Sequence, residues 1–167
     1  GDGGQGDPRH VADVRRAQGL TTGTSRTFSI DVLDAARPLE VTLAFTDFAG
    51  TITVGDDPLT SKVEATVQAT SIDTRDEGRD GHLRSGDFFD VEHHPQMTFV
   101  SKSATARGDG LDVVGDLTIR GTTREVTLRV EDITDENKDP WGNLRRGASA
   151  STKIKRSDFG IVWNAGL

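Results

Sequence analysis

From about Thr27 onward, apolar and polar residues alternate along most of the chain. Val63, Ala65, Val67 and Ala69 alternate with Glu64, Thr66, Gln68 and Thr70. Leu111, Val113, Leu117 and Ile119 alternate with Asp112, Asp116, Thr118 and Arg120, and Gly115 falls on the apolar side. Val126, Leu128 and Val130 alternate with Thr127, Arg129 and Glu131, and Ala148, Ala150 and Ile154 with Ser149, Ser151 and Lys153. Successive side chains of a strand point to opposite sides, so this period of two predicts strands with one wet face. Shorter strand candidates are Phe28 to Val32, Glu40 to Phe45, Thr51 to Val54, Met97 to Lys102 and Phe159 to Trp163.

Turn signals separate these runs: GDDP at 55–58, RGDG at 107–110, RGTT at 120–123 and KDPWGN at 138–143. Eight or nine strands with short connections predict an antiparallel sheet closed into a barrel or folded into a sandwich. One charged stretch, Thr74 to His94, breaks the alternation and suits one or two short helical turns across a barrel end. Residues 1–25 read as a flexible leader. Within it, Pro8 to Gly19 is compatible with one short helix, Pro at its start and Gly at its end. Residues 26–167 then form a single domain.

Composition narrows the function classes. The chain has 167 residues, a length that suits one core, and 33% of them are apolar. Lys plus Arg total 20 against 27 Asp plus Glu, a net charge of −7, which argues against a nucleic-acid partner. The absence of Cys excludes disulfides, Cys zinc sites and thiol nucleophiles. No run approaches the ~18–20 apolar residues of a membrane-spanning helix. No basic-then-apolar secretory order is visible either. That suits a cytoplasmic protein, or an extracytoplasmic one after signal removal.

The densest polar constellation is Asp87, Asp90, Glu92, His93 and His94. Adjacent histidines in an extended segment face opposite ways, Pro95 favours that extension, and no HxH or HExxH spacing occurs, so a solvated connection is preferred over a metal site. His82 is a candidate general base whose plainer role is to pack a turn, and His10 lies in the leader. No GxSxG, SxxK, GxxxxGK or GxGxxG signature is present. A closed barrel of about eight strands is either filled by side chains or open for one ligand. Ala65, Ala69, Gly115, Ala148 and Ala150 on inward faces would leave space, whereas Phe and Trp side chains would fill it.

Val63 to Ser101, VEATVQATSIDTRDEGRDGHLRSGDFFDVEHHPQMTFVS, resembles the YceI-like polyisoprenoid-binding family. TDFAGTI at 46–52, GDLTIRGTTREVTL at 115–128, KDPWGN, and SDFGIVWNAGL at 157–167 agree in order and spacing, so the resemblance covers about 45–167. It implies an all-β, antiparallel, lipocalin-like barrel of about eight strands with one short helical connection. It also implies an apolar pore that holds a long isoprenoid chain, such as a polyprenyl phosphate or an isoprenoid quinone, without catalysis. Two departures stand out. The first hairpin, from SID at 29–31 through VLDAARPLEVTLAF, is shorter than the family's and lacks its His, and the sequence stops before a final strand. The barrel is therefore either complete or short of its N- and C-terminal strands, and an open edge would admit a homodimer.

The expected pore lining is Phe45, Phe48, Ile52, Val63 and Val67 from the first strands, with Phe88 and Phe89 from the connection. Met97, Phe99, Leu117, Ile119, Val126 and Leu128 follow from the central strands, and Trp141, Phe159, Ile161 and Trp163 from the end. Arg120, Arg124, Arg145 and Arg146 sit in or beside turns and are candidates for the lipid head group. No catalytic residue, metal or required cofactor is expected. The expected partners are an isoprenoid lipid and, transiently, a membrane. The alternatives are a filled β-barrel that contacts another protein, or a small hydrolase or isomerase using His82 or His93.

Overall fold

The computed structural model describes residues 11–13, 28–34, 37–53 and 57–163. Alternation becomes strands throughout this range. The strands are β1 (Val11–Asp13), β2 (Phe28–Asp34), β3 (Arg37–Phe45), β4 (Phe48–Thr53), β5 (Lys62–Gln68), β6 (Ile72–Asp73), β7 (Gln96–Arg107), β8 (Gly110–Ile119), β9 (Thr122–Glu131), β10 (Asn137–Lys138), β11 (Leu144–Arg145) and β12 (Ser149–Ser151). Among the described residues one helix, α1 (Glu77–Arg84), interrupts them. Seven strands form an antiparallel sheet in the order β1-β4-β5-β7-β8-β9-β12, which curls into a half-barrel. Strands β2, β3 and β6 form a second sheet, and β10–β11 a separate hairpin.

The turns follow their residues. Strands β8 and β9 are joined by Arg120 and Gly121, both at positive φ (50° and 70°), the pairing that a two-residue hairpin turn matched to strand twist requires. Helix α1 starts at Asp76, whose carboxylate accepts from the Arg79 N–H at 2.9 Å, an N-cap for an otherwise unpaired donor. Asp80 is buried within it, accepting from the Thr74 N–H (2.9 Å) and hydroxyl (2.5 Å).

Several boundaries differ from the sequence expectation. Val11–Asp13 is extended and pairs with β4, not helical, and the rest of the expected 8–19 helix lies outside the described residues. A strand edge offers unpaired N–H and C=O groups, and pairing outweighs a weak helical pattern. The first hairpin forms over seven paired positions, Phe28 opposite Leu43 to Asp34 opposite Arg37, and the end of β3 pairs with β6 instead of joining the large sheet. Phe159 to Trp163 is not a strand: residues 156–159 make a 3-10 turn, and Gly160 at φ 73° ends it. The extra strands beyond the expected eight or nine are two- and three-residue pieces.

The core lies at one end of the half-barrel. Leu43, Phe45, Ala69, Ile72, Phe89, Met97, Ile119, Phe159 and Ile161 form one buried cluster. Ridges from the second sheet, the 85–95 connection and the 156–161 turn thus close that end.

Candidate functional site

The strand registers assemble a single apolar face. Ile52, Gly50 and Phe48 of β4 lie opposite Val63, Ala65 and Val67 of β5. Val67 and Ala65 lie opposite Met97 and Phe99 of β7, and Phe99 opposite Leu117 of β8. Leu111, Val113 and Gly115 then face Val130, Leu128 and Val126 of β9, and Val130 faces Ala150 of β12. Directly opposed residues share a face, so these side chains form one continuous apolar surface across six strands. The opposite face is polar: Lys102 Nζ bridges Asp116 (2.7 Å) and Glu125 (3.1 Å), and Arg107 bridges Asp112 (2.7 Å) and Glu131 (2.9 Å).

Burial along the apolar face is graded. At the capped end Met97, Phe99 and Ile119 are buried. Toward the other end Val113 is still buried, but Val63, Leu111, Val126, Leu128 and Val130 are half-buried, and Ile52 and Ala150 are exposed. Gly115 does not leave space as expected: a Cβ there would sit 2.5 Å from Phe99 Cζ, so the Phe99 ring already fills the position. Ala65 is half-buried on the face, Ala69 is in the capped core, and Ala148 is exposed.

The expected lining residues separate into three groups. Phe45, Phe89, Phe159 and Ile161 belong to the cap core, with Phe88 packed against it. Phe48, Ile52, Val63, Val67, Met97, Phe99, Leu117, Ile119, Val126 and Leu128 lie on the sheet face. Trp141 and Trp163 join neither. Trp141 is 71% exposed on the β10–β11 loop, and Trp163 rests edge-on to His82 (ring centroids 4.6 Å apart) and beside Phe88 (5.2 Å) on the outside of the cap. Leu111, Val113 and Val130 lie on the face although the lining expected from sequence omits them; their place in the alternation was the available signal.

Of the four candidate arginines, two are committed to the fold. Arg120 donates to the Gly160 and Gly86 carbonyls, tying the β8–β9 turn to the cap. Arg145 Nε donates to Asp139 at 2.7 Å. Arg146 is exposed on the hairpin stem. Arg124 is exposed and lies opposite Leu117, on the apolar face itself.

The polar constellation is dispersed. Asp87 pairs with His82 (2.8 Å) and Asp90 with His93 Nδ1 (2.8 Å), while His94 packs its ring over Gly121. The hydrogen bond from His93 holds the Asp90 carboxyl below its usual range, and the same bond raises His93. Among the described residues, no three His, Cys, Asp or Glu side chains converge on one point. A cleft of about 380 Å³ beside α1 is lined by Asp73, Arg75, Asp76, Glu77, Asp80 and Arg84, a charged surface unsuited to an apolar chain.

Comparison with known proteins agrees with this architecture. Residues 20–167 match the YceI-like domain. Protein YceI of Escherichia coli O17:K52:H18 is 45% identical over 123 residues, covering 73% of this chain and 64% of that protein. A UPF0312 protein of Pseudomonas aeruginosa is 41% identical with the same coverage. The chain thus spans just under two thirds of the length of these relatives. Among solved structures, the Campylobacter jejuni YCEI protein superposes with a TM-score of 0.66 at 31% identity, over 83% of this chain and 80% of that one. Burkholderia cenocepacia BcnA superposes with a TM-score of 0.67 at 25% identity, over 74% of each chain.

Proposed function

The chain belongs to the YceI-like family of β-barrel proteins, and from that premise we propose that its apolar sheet face binds a long-chain isoprenoid lipid for carriage or storage, without catalysing a reaction on it. The observation that carries this reading is the face itself: one apolar surface crosses six strands, closed by a packed core at one end and carrying half-buried and exposed apolar residues at the other.

The energetics set what the protein must supply. Burying a CH₂ group from water is worth about 0.8 kcal/mol, but the free lipid already sits in membrane or micelle. Binding therefore exchanges one apolar environment for another. Net affinity rests on the fit of the chain along the face and on contacts to the head group. For an anionic head such as a polyprenyl phosphate, Arg124 is the arginine best placed, since it shares the apolar face and its guanidinium is exposed. A quinone head would accept hydrogen bonds from the same guanidinium through its carbonyl oxygens.

The test is lipid extraction and mass spectrometry of the purified protein, with uptake of added polyprenyl phosphate and isoprenoid quinone. We expect a co-purifying or readily loaded isoprenoid. Ile52→Glu, at an exposed position of the face, is expected to cut uptake while leaving the unfolding midpoint nearly unchanged. Recovery of no isoprenoid, together with no uptake of either probe, would sink the reading.

A further inference from the structure

The connection between β9 and β12 leaves and re-enters the sheet at the half-barrel's uncapped end, because β9 runs from the capped turn at Arg120–Gly121 out to Glu131, and β12 begins opposite it. That connection is a tied hairpin. Thr134 and Gly147 bond across its base, and Asn137 and Lys138 pair with Arg145 and Leu144. At the tip the Asp139 carboxylate accepts from the backbone N–H of Trp141 (2.9 Å), the backbone N–H of Asn143 (2.8 Å), the Asn143 amide (3.1 Å) and Arg145 Nε (2.7 Å). Burial pushes that carboxyl up, yet the bonds from Asn143, Arg145 and Trp141 outweigh it and hold it down at about 2.

This network fixes the loop in a form that presents an apolar side chain to water. Trp141 is 71% exposed and Leu144 57% exposed. Single exposed apolar residues are ordinary, but Trp141 stands exposed on a loop whose backbone is fixed by four hydrogen bonds to one carboxylate, one of them from its own N–H. Trp is suited to a membrane interface, where its ring is buried and its N–H stays wet.

We propose that the Lys138–Arg145 hairpin tip is a membrane-docking element, inserting Trp141 and Leu144 into the interfacial layer of a bilayer and placing the uncapped end of the apolar face against the lipid. The choice of a lipid surface over a protein partner rests on the proposed function, since an isoprenoid cargo is loaded from membrane. The chain's charge of −7 disfavours anionic surfaces, and residues 132–147 hold four carboxylates against three cations. Insertion is therefore driven by the apolar tip, and zwitterionic bilayers are the matching surface.

The experiment uses phosphatidylcholine vesicles free of isoprenoid. Trp163→Phe leaves Trp141 as the sole tryptophan, since the chain has two. The expected result is a shift of its emission to shorter wavelength on adding vesicles, with co-sedimentation. Trp141→Ala is expected to weaken that partition at least about tenfold. Asp139→Ala, which keeps the tryptophan but frees the loop, is expected to weaken it less. Emission unmoved by vesicles would overturn the proposal, as would Trp141→Ala co-sedimenting as well as the parent. A shift that grows with protein concentration and needs no vesicles would assign the tip to a second copy of the chain instead. Lipid loading from detergent micelles reads the cargo face alone, so Trp141→Ala failing to dock yet loading normally separates the two readings.

Discussion

Gly115→Ala is a small change with a calculable consequence. The added methyl would lie 2.5 Å from Phe99 Cζ, 2.7 Å from Phe99 Cε2 and 2.5 Å from the Val100 carbonyl oxygen. The two collisions differ in kind. The Phe99 ring is a side chain that can tilt toward the open face. The Val100 carbonyl belongs to a strand whose neighbour Ser101 pairs with Gly115 itself, so it moves only by disturbing the β7–β8 ladder. Forcing a methyl into such a site costs about 1–3 kcal/mol. For a chain of this length each kcal/mol lowers the midpoint by about 2–4 °C, so a fall of about 4–8 °C accompanies a cost of about 2 kcal/mol. Urea unfolding followed by circular dichroism measures the cost, with thermal scans as the check. Adding Phe99→Leu removes the ring collision and leaves the carbonyl one, so the double mutant is expected to recover less than half of the loss after the cost of Phe99→Leu alone is subtracted. Gly115→Ala within about 0.5 kcal/mol of the parent would refute the reasoning. Full recovery in the double mutant would refute its backbone half.

Two further predictions concern the cap. Arg120→Ala removes both bonds to the Gly160 and Gly86 carbonyls and is expected to cost about 1–2 kcal/mol, with faster amide hydrogen exchange at Ile161; exchange no faster than the parent's would count against the tether. The Asp90–His93 pair makes stability pH-dependent in a definite direction. His93 is raised above 6.5, so its contribution is complete below pH 6.5 and fades as the pH climbs through the raised value. Asp90 is held below 3.8, so its contribution is complete above that pH and fades as the pH falls through the lowered value. In Asp90→Asn, His93 titration followed by NMR is expected to return to near 6.5, and an unmoved value would remove the pair as the cause.

What the sequence discloses here is what a strand pattern controls directly. Alternation at 63–69, 111–119 and 126–130 becomes β5, β8 and β9 because neighbouring strands must agree on which face is buried. The RGTT turn is equally direct, since a two-residue hairpin turn calls for positive φ and glycine supplies one of the two positions. The misreadings occur where another force overrides the local pattern. Phe159, Ile161 and Trp163 alternate like a strand, but Gly160 takes a left-handed conformation that closes a 3-10 turn, and Arg120 holds its carbonyl. Hydrophobicity alone sends Trp141 inward; instead it stands exposed on a loop that Asp139 ties together through residues two, four and six positions away. Nor does alternation reveal that the cap is assembled from five separate stretches, 43–45, 69–72, 89–97, Ile119 and 159–161. The gradient of burial along the face is therefore a product of topology, not of any single strand.

That gradient bears on how a carrier of this shape would select its cargo. From Leu111 to Ile119 the face runs about 27 Å at about 3.4 Å per residue. Ile119 and Phe99 at the capped end are buried, and the closed core behind them gives the face a floor. A chain longer than the face must leave its surplus at the uncapped end, where water or bilayer receives it. A shorter chain leaves Val130 and Leu111 uncovered. Since tail burial exchanges one apolar environment for another, these end effects are comparable in size to the net affinity itself. Length selectivity would then arise at the uncapped end, where mismatch is felt, and not in the packed cap. Substitutions at Leu111 or Val130 should shift the preferred chain length, whereas substitutions at Phe159 or Ile72, fully buried in the cap, should reduce stability and leave the preference unchanged. Competitive loading of isoprenoids of graded length measures the two effects separately, and an equal shift in preference from both sets of variants would contradict the argument.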